Sequence, residues 1–276
     1  MNGSPLAWTK TMNRSSCTIV AYIIALIFVC SSVVHAQKWA DLTMTVVLDG
    51  LVPVPQRINA FPGGVPPRIL SEDLVVDPAT KGIANVVFMI DSKRTKLAAN
   101  QWHPDLQMVP TAKPTLKMVN FAFVPHVLSM RAGQTLVVQN QPFVGYNPKF
   151  NFFKNNQVNP MIRAGGNREV ATEFEEPVPT KVECSIHPWM SGFVIVSGHP
   201  YVGISDATGK IKIEKLPADI ELDFKLWHES QDKSIDKVTL AGKTESWPKG
   251  TVKLTLNEGE NDLGTLSIKS DRFKSQ

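Results

Sequence analysis

The chain is 276 residues long, with 29 Lys and Arg against 25 Asp and Glu and a formal net charge of +4. With no basic stripe or polylysine tract in it, that balance argues against nucleic acid or an anionic membrane surface as a partner. The length suits one large or two small domains behind an N-terminal segment.

Lys10 and Arg14 form a positive region, residues 18–34 are almost uninterruptedly apolar, and Val34-His35-Ala36 ends the run in a cleavage-like pattern. Residues 1–36 therefore read as a signal peptide cut near Ala36, and the rest as exported to the periplasm, cell envelope or medium. The apolar run is at the lower edge of the roughly 20 residues that span a bilayer, so a retained anchor is the alternative. Beyond this signal, nothing is apolar enough to cross a membrane. Cleavage removes Cys17 and Cys30 and leaves one of the three cysteines, Cys184, with 27 basic against 25 acidic residues. A lone thiol in an oxidising compartment calls for a metal or an intermolecular disulfide.

From residue 37 the pattern is all-β. Segments rich in Val, Ile, Thr and Phe recur at 42–48, 84–90, 116–123, 135–139, 193–196, 210–214, 222–227 and 251–256. Turn chemistry separates them, as at Asp49-Gly50, Ala132-Gly133, Thr208-Gly209 and Glu258-Gly259. No long window has a 3.6-residue apolar period, and the 20 prolines fit sheet edges and loops. Residues 53–67 are rich in Pro and Gly and read as a surface excursion; the polar, asparagine-rich stretch 147–167 reads as a long loop.

The chemistry lies in the middle. Asn120-Phe121-Ala122-Phe123-Val124-Pro125-His126 runs into Val127–Asn140 as strand, proline break, strand, glycine turn and strand. Further on, Val182-Glu183-Cys184 ends one strand and Gly192-Phe193-Val194-Ile195-Val196 begins the next. Cys184, His187 and Met190 then fall on the hairpin loop between them. A thiolate, an imidazole and a thioether form a soft ligand set that selects copper, zinc or iron–sulfur. A catalytic Cys–His pair fits poorly, since only Glu183 stands nearby to orient the base and it should face the other way. With no phosphate loop or nucleophile elbow either, the chain does not read as an enzyme.

Cys184-x-x-His187-Pro188-Trp189-Met190-x-Gly192 resembles the ligand loop of amicyanin. Phe123-x-Pro125, Gly133-x-Thr135 and Asn140 are similar to the corresponding part of plastocyanin-type cupredoxins. Closer still is the resemblance to bacterial methylamine-utilisation-like proteins, carried by Phe123 to Leu128, Cys184 to Gly192, Pro200-Tyr201, Asp206 to Gly209, Leu216-Pro217 and Trp227-His228. It covers most of residues 113–230. The resemblance implies a cupredoxin Greek-key sandwich and one copper ion on Cys184, His187 and Met190. It also places Tyr146-Asn147 where the family carries His-Asn, and a phenol with a pKa near 10 replaces an imidazole poorly. Three arrangements stay open: His126 supplies the missing nitrogen, Tyr146 oxygen or water completes a three-ligand site, or the loop has lost its metal.

Residues 201–230 resemble a carboxypeptidase-regulatory or transthyretin-like β-sandwich whose first strands would have to come from upstream. The expected organisation is thus an N-terminal β segment at 37–112, a cupredoxin-like domain at 113–198 and a second sandwich at 199–276, the outer two combining into one discontinuous unit. Trp189, Val127 and Phe193 are expected to line the metal. The function expected is an exported copper-binding electron carrier with a redox-protein partner. The alternatives are a copper- or zinc-sequestering protein and a metal-free interaction module of the cell envelope.

Overall fold

A computed structural model describes residues 37–58, 69–232 and 234–274. The signal read at 1–36 and the 59–67 part of the Pro/Gly-rich stretch lie outside the described residues. Before residue 113 come β1 (Trp39–Asp49), β2 (Val87–Ile90) and the single-turn α1 (Pro104–Gln107). The middle holds β3 (Thr115–Val119), β4 (Ala122–Val124), β5 (Val127–Arg131), β6 (Thr135–Asn140), β7 (Pro148–Phe150), β8 (Asn167–Ala171), β9 (Thr180–Cys184) and β10 (His187–Ser197). Then follow β11 (Val202–Ile204), β12 (Lys210–Pro217), β13 (Glu221–Trp227), β14 (Lys237–Leu240), β15 (Lys243–Ser246), β16 (Thr251–Thr255) and β17 (Gly259–Lys269). Among the described residues no helix is long and apolar enough to cross a membrane.

The chain is all-β, in two sandwiches. The middle one faces sheet β4-β3-β6-β8 against sheet β5-β10-β9-β7. Two of its pairings, β3 with β6 and β5 with β10, are parallel; the others are antiparallel. Parallel neighbours need a crossover, and here the chain passes from one sheet to the other to make it. The enclosed core includes Leu116, Met118, Phe123, Leu136, Phe150 and Val194.

The second sandwich draws on both ends of the chain. Its sheets are β12-β1-β17-β14-β15 and β11-β2-β13-β16. Strand β1 shows why: Ala40, Leu42, Met44, Val46 and Leu48 are all buried while the residues between them are partly exposed. That two-residue period gives it one apolar face, and pairing on both sides with β12 and β17 covers its backbone. Phe88 stacks on Phe224 across the β2–β13 pair at 4.8 Å in the same core. Gly209 (φ +84) closes the Asp206–Gly209 turn so tightly against β1 that a Cβ there would stand 2.2 Å from the Val46 carbonyl oxygen.

Between the sandwiches lies a thin apolar seam. Val127 and Ile195 of the middle sandwich meet Val87, with Phe193 edge-on to Trp227 at 5.0 Å. At Gly192 a side chain would press on the His126 carbonyl at 2.9 Å and Phe123 Cβ at 3.1 Å, so only glycine admits the β4–β5 junction here.

Two expectations need correcting. The strand expected over 116–123 is cut at Asn120 and Phe121, whose φ values of 48° and 63° turn the chain into the β3–β4 hairpin. The stretch 147–167 contains β7 and bridges Tyr146 to Ile162 and Phe150 to Val158, so it is partly sheet.

Candidate metal centre

Strand β9 ends at Cys184 and β10 begins at His187, so the turn between them is only Ser185-Ile186. The expected loop is therefore shorter than the spacing implied: His187 pairs with Cys184, and a register shift before Ser191 bulges residues 188–190 out of the ladder. A bulge re-aims side chains. Its result is that Cys184 Sγ lies 3.4 Å from His187 Nδ1, while Met190, three residues further along β10, joins the core of the middle sandwich. Cys184 and Met190 are buried; His187 is half-buried. Burial pushes the His187 imidazole below its ordinary value, so at neutral pH it keeps the lone pair a metal needs.

The sulfur has a second neighbour. The Asn147 backbone N–H donates to Cys184 Sγ at 3.4 Å, and the Ser185 N–H donates to the Asn147 carbonyl at 2.9 Å. These bonds lash the 145–148 segment to the turn. Asn140 holds the same segment from behind, its Nδ2 within 2.8, 3.0 and 2.9 Å of the carbonyls of Val144, Ile162 and Arg163.

Tyr146 sits beside the pair but turns its oxygen elsewhere. Its ring centroid is 5.1 Å from that of His187, while its hydroxyl accepts the Phe121 N–H at 3.1 Å. Burial, and to a lesser extent the neighbouring Cys184, raise the phenol above its ordinary value, while the Phe121 bond works the other way. A neutral phenol is a poor donor to a soft metal. Phe121, at 5.0 Å from His187, and Trp189, at 5.4 Å, complete an aromatic enclosure round the imidazole. The sequence places Phe121 in a strand with no role at the site; the signal for its position is Asn120, a residue type that tolerates left-handed backbone and can start a tight turn.

His126 lines a cleft with Phe121, Trp189 and Met190, but its ring is engaged by two carboxylates. Its Nε2 makes a short contact with the Glu229 carboxylate, and its Nδ1 lies 3.6 Å from Glu72. Burial disfavours the imidazolium, but the hydrogen bonds and charges of Glu229 and Glu72 outweigh it and raise the pKa to about 9. A protonated imidazole has no lone pair for a metal. Val127 and Phe193 likewise belong to the seam between the sandwiches, leaving Trp189 as the one expected lining residue beside the ligands. The other histidines are structural. His103 Nδ1 accepts the Asp105 N–H at 3.2 Å, His199 bonds the Ile90 carbonyl at 2.9 Å, and His228 bonds the Ala84 carbonyl at 3.2 Å. Complete burial lowers His228 to about 4.

The residues present can be tested against a metal. Bonds of about 2.3 Å to a thiolate and 2.0 Å to an imidazole, at angles near 100–120°, hold sulfur and nitrogen about 3.3–3.7 Å apart. The observed 3.4 Å falls in that range. The Cys184–His187 pair fits a soft ion with two strong ligands; Tyr146 does not extend it. Among the described residues, no cluster of three or more His, Cys, Asp or Glu side chains is placed to hold a metal.

No family model matches the chain, and no curated protein does. Solved structures do. A purple cupredoxin from Nitrosopumilus maritimus is 25% identical over 31% of this chain and 100% of that one, at a TM-score of 0.27. A copper-containing nitrite reductase from Thermus scotoductus SA-01 is 18% identical over 40% of this chain and 27% of its own, at 0.29. An oxidised amicyanin variant is 14% identical over 33% of this chain and 97% of its own, at 0.28. At these scores the likeness adds no weight to what the strands and the Cys184–His187 pair show by themselves.

Proposed function

We propose that this chain is an exported, non-catalytic copper-binding protein that carries electrons through an atypical site of Cys184, His187 and Met190. The observation that carries the reading is the 3.4 Å approach of Cys184 Sγ to His187 Nδ1, with Met190 buried three residues further along β10. Copper bound there would supply a one-electron couple to a partner redox protein. The chain's own residues do the rest. Cys184 and His187 bind; the Asn147 N–H partly offsets negative charge on the thiolate; Asn140 fixes the loop behind it. Phe121, Trp189 and the Tyr146 ring limit water at the imidazole, and an apolar surround of this kind tunes a metal's potential. Under the same reading, residues 113–198 are a cupredoxin-like domain inserted into a carboxypeptidase-regulatory-like sandwich made of 37–112 and 199–276.

Titrating the purified protein with Cu(II) tests this. The expected result is one equivalent bound, with the intense visible absorption of a copper–thiolate bond that disappears in Cys184→Ser. Binding of one colourless equivalent that needs Cys184 would point to sequestration. No binding by a folded protein overturns both. A metal-free interaction module is the second reading, favoured by exposed Phe143, Met161 and Ile186, at 81%, 64% and 47% accessibility.

A further inference from the structure

Far from the Cys184 loop, the seam between the sandwiches opens into a cleft of about 380 Å³. Its walls come from both sandwiches: Met89 and Trp227 on one side, Ile195 and Val178 on the other. The volume lies within the range of small-molecule sites, about 300–1,000 Å³, and junctions between structural units are where such sites concentrate. Trp227 is half-buried and held edge-on by Phe193 at 5.0 Å, which fixes one flat apolar wall.

The polar lining is charged and unevenly committed. Lys93, Lys96, Lys154 and Lys225 line the cleft, as do Asp91, Glu175 and Glu176. Each carboxylate already has partners. Glu176 accepts the backbone N–H groups of Phe153, Lys154 and Asn155 at 2.8, 3.0 and 2.9 Å. Glu175 accepts the Ser92 hydroxyl at 2.5 Å. Asp91 accepts the Lys93 N–H at 3.0 Å and pairs with Arg94 at 3.7 Å. Lys96 donates to the Ser92 carbonyl. The ammonium groups of Lys93, Lys154 and Lys225 have no ion pair or hydrogen bond among the described residues. The cleft therefore combines an apolar interior with four lysines against three carboxylates, and three of the ammonium groups remain unpaired.

We propose that this cleft binds a small organic anion with a flat apolar body, the ring lying against Trp227 and the anionic group reaching Lys154 and Lys225. The proposal is independent of copper. It is tested by titrating the purified protein with 2-naphthoate and with its uncharged counterpart 2-naphthylmethanol, following tryptophan fluorescence and the heat of binding. The acid should bind at least tenfold more tightly than the alcohol and lose affinity as salt is raised. Lys154→Ala and Lys225→Ala should each weaken it about fivefold, the scale of a partly exposed ion pair. Trp227→Phe should remove the fluorescence response while the heat persists, and Cys184→Ser should leave binding unchanged. Lys154 is exposed and Lys225 half-buried with no side-chain hydrogen bond to lose, so their variants are expected to fold, as circular dichroism would verify. Equal affinity for acid and alcohol, indifference to both lysine substitutions, or no binding at millimolar acid overturns the proposal.

Discussion

Replacing Glu229 by glutamine should remove most of a pH-dependent contribution that ties the two sandwiches together. His126 and Glu229 both have side chains only 7% exposed, and Glu72 stands on the other side of the ring. The imidazole pKa is raised from 6.5 to about 9. At about 1.4 kcal/mol per unit this difference is worth about 3 kcal/mol. The sign follows from proton binding. Between the unfolded and folded values the native state holds the extra proton, so the contribution is complete below pH 6.5 and is lost as pH rises through about 9. Glu229 is itself raised by burial, with the His126 hydrogen bond and charge pulling it back. Guanidinium unfolding of the wild type and Glu229→Gln, from pH 6 to pH 10, isolates the pair because other groups cancel in the difference. Because Glu72 stays beside the ring, the stability gap should be somewhat under about 3 kcal/mol at pH 6 and shrink towards pH 10, and the His126 ring resonances should titrate near 9 in the wild type. A gap that does not change with pH, together with an imidazole midpoint near 6.5, would refute the reasoning.

Tyr146→His should raise Cu(II) affinity at least tenfold and strengthen the copper–thiolate absorption, since an imidazole replaces a phenol whose oxygen faces the Phe121 N–H; unchanged affinity and spectrum would mean this position cannot reach the ion. Asn140→Ala leaves the Val144 carbonyl without its donor, while the Ile162 and Arg163 carbonyls keep the Tyr146 and Gly166 N–H groups, and should cost about 1–3 kcal/mol in denaturant unfolding while also weakening copper binding. Gly209→Ala forces a methyl to within 2.2 Å of the Val46 oxygen at a positive φ and should cost about 3 kcal/mol or more, read as a lowered unfolding midpoint of the second sandwich.

How much of this was legible in the sequence depended on where each signal lay along the chain. The alternation in 42–48 and the Asp206–Gly209 turn are local patterns, and both stand where local rules put them. Strand β17 escaped because its residues, Gly-Glu-Asn-Asp-Leu-Gly at the start, are polar and half-exposed; it is a strand because β1 offers a parallel partner. For the centre, the nearness of Cys184 and His187 follows from their spacing, but the two-residue turn and the bulge do not. The fate of His126 was the least legible of all. Its carboxylate partner lies 103 residues away in the other sandwich, and no local pattern announces a pairing of that kind.

The same distance explains why the candidate centre and the seam belong to one mechanical unit. Strand β10 carries His187 and Met190 at its start and Ile195, a seam residue, eight positions after His187. Between them, Gly192 lets the His126 carbonyl approach, and the Phe193 N–H donates to that carbonyl at 2.8 Å. The residue that anchors one sandwich to the other through its ring therefore also braces, through its backbone, the strand that presents the ligands. A histidine used in this way cannot turn towards Cys184 without giving up Glu229 and opening the seam. That physical conflict, more than its place in the sequence, takes His126 out of the ligand set and leaves Tyr146 as the position where a fourth donor could be introduced.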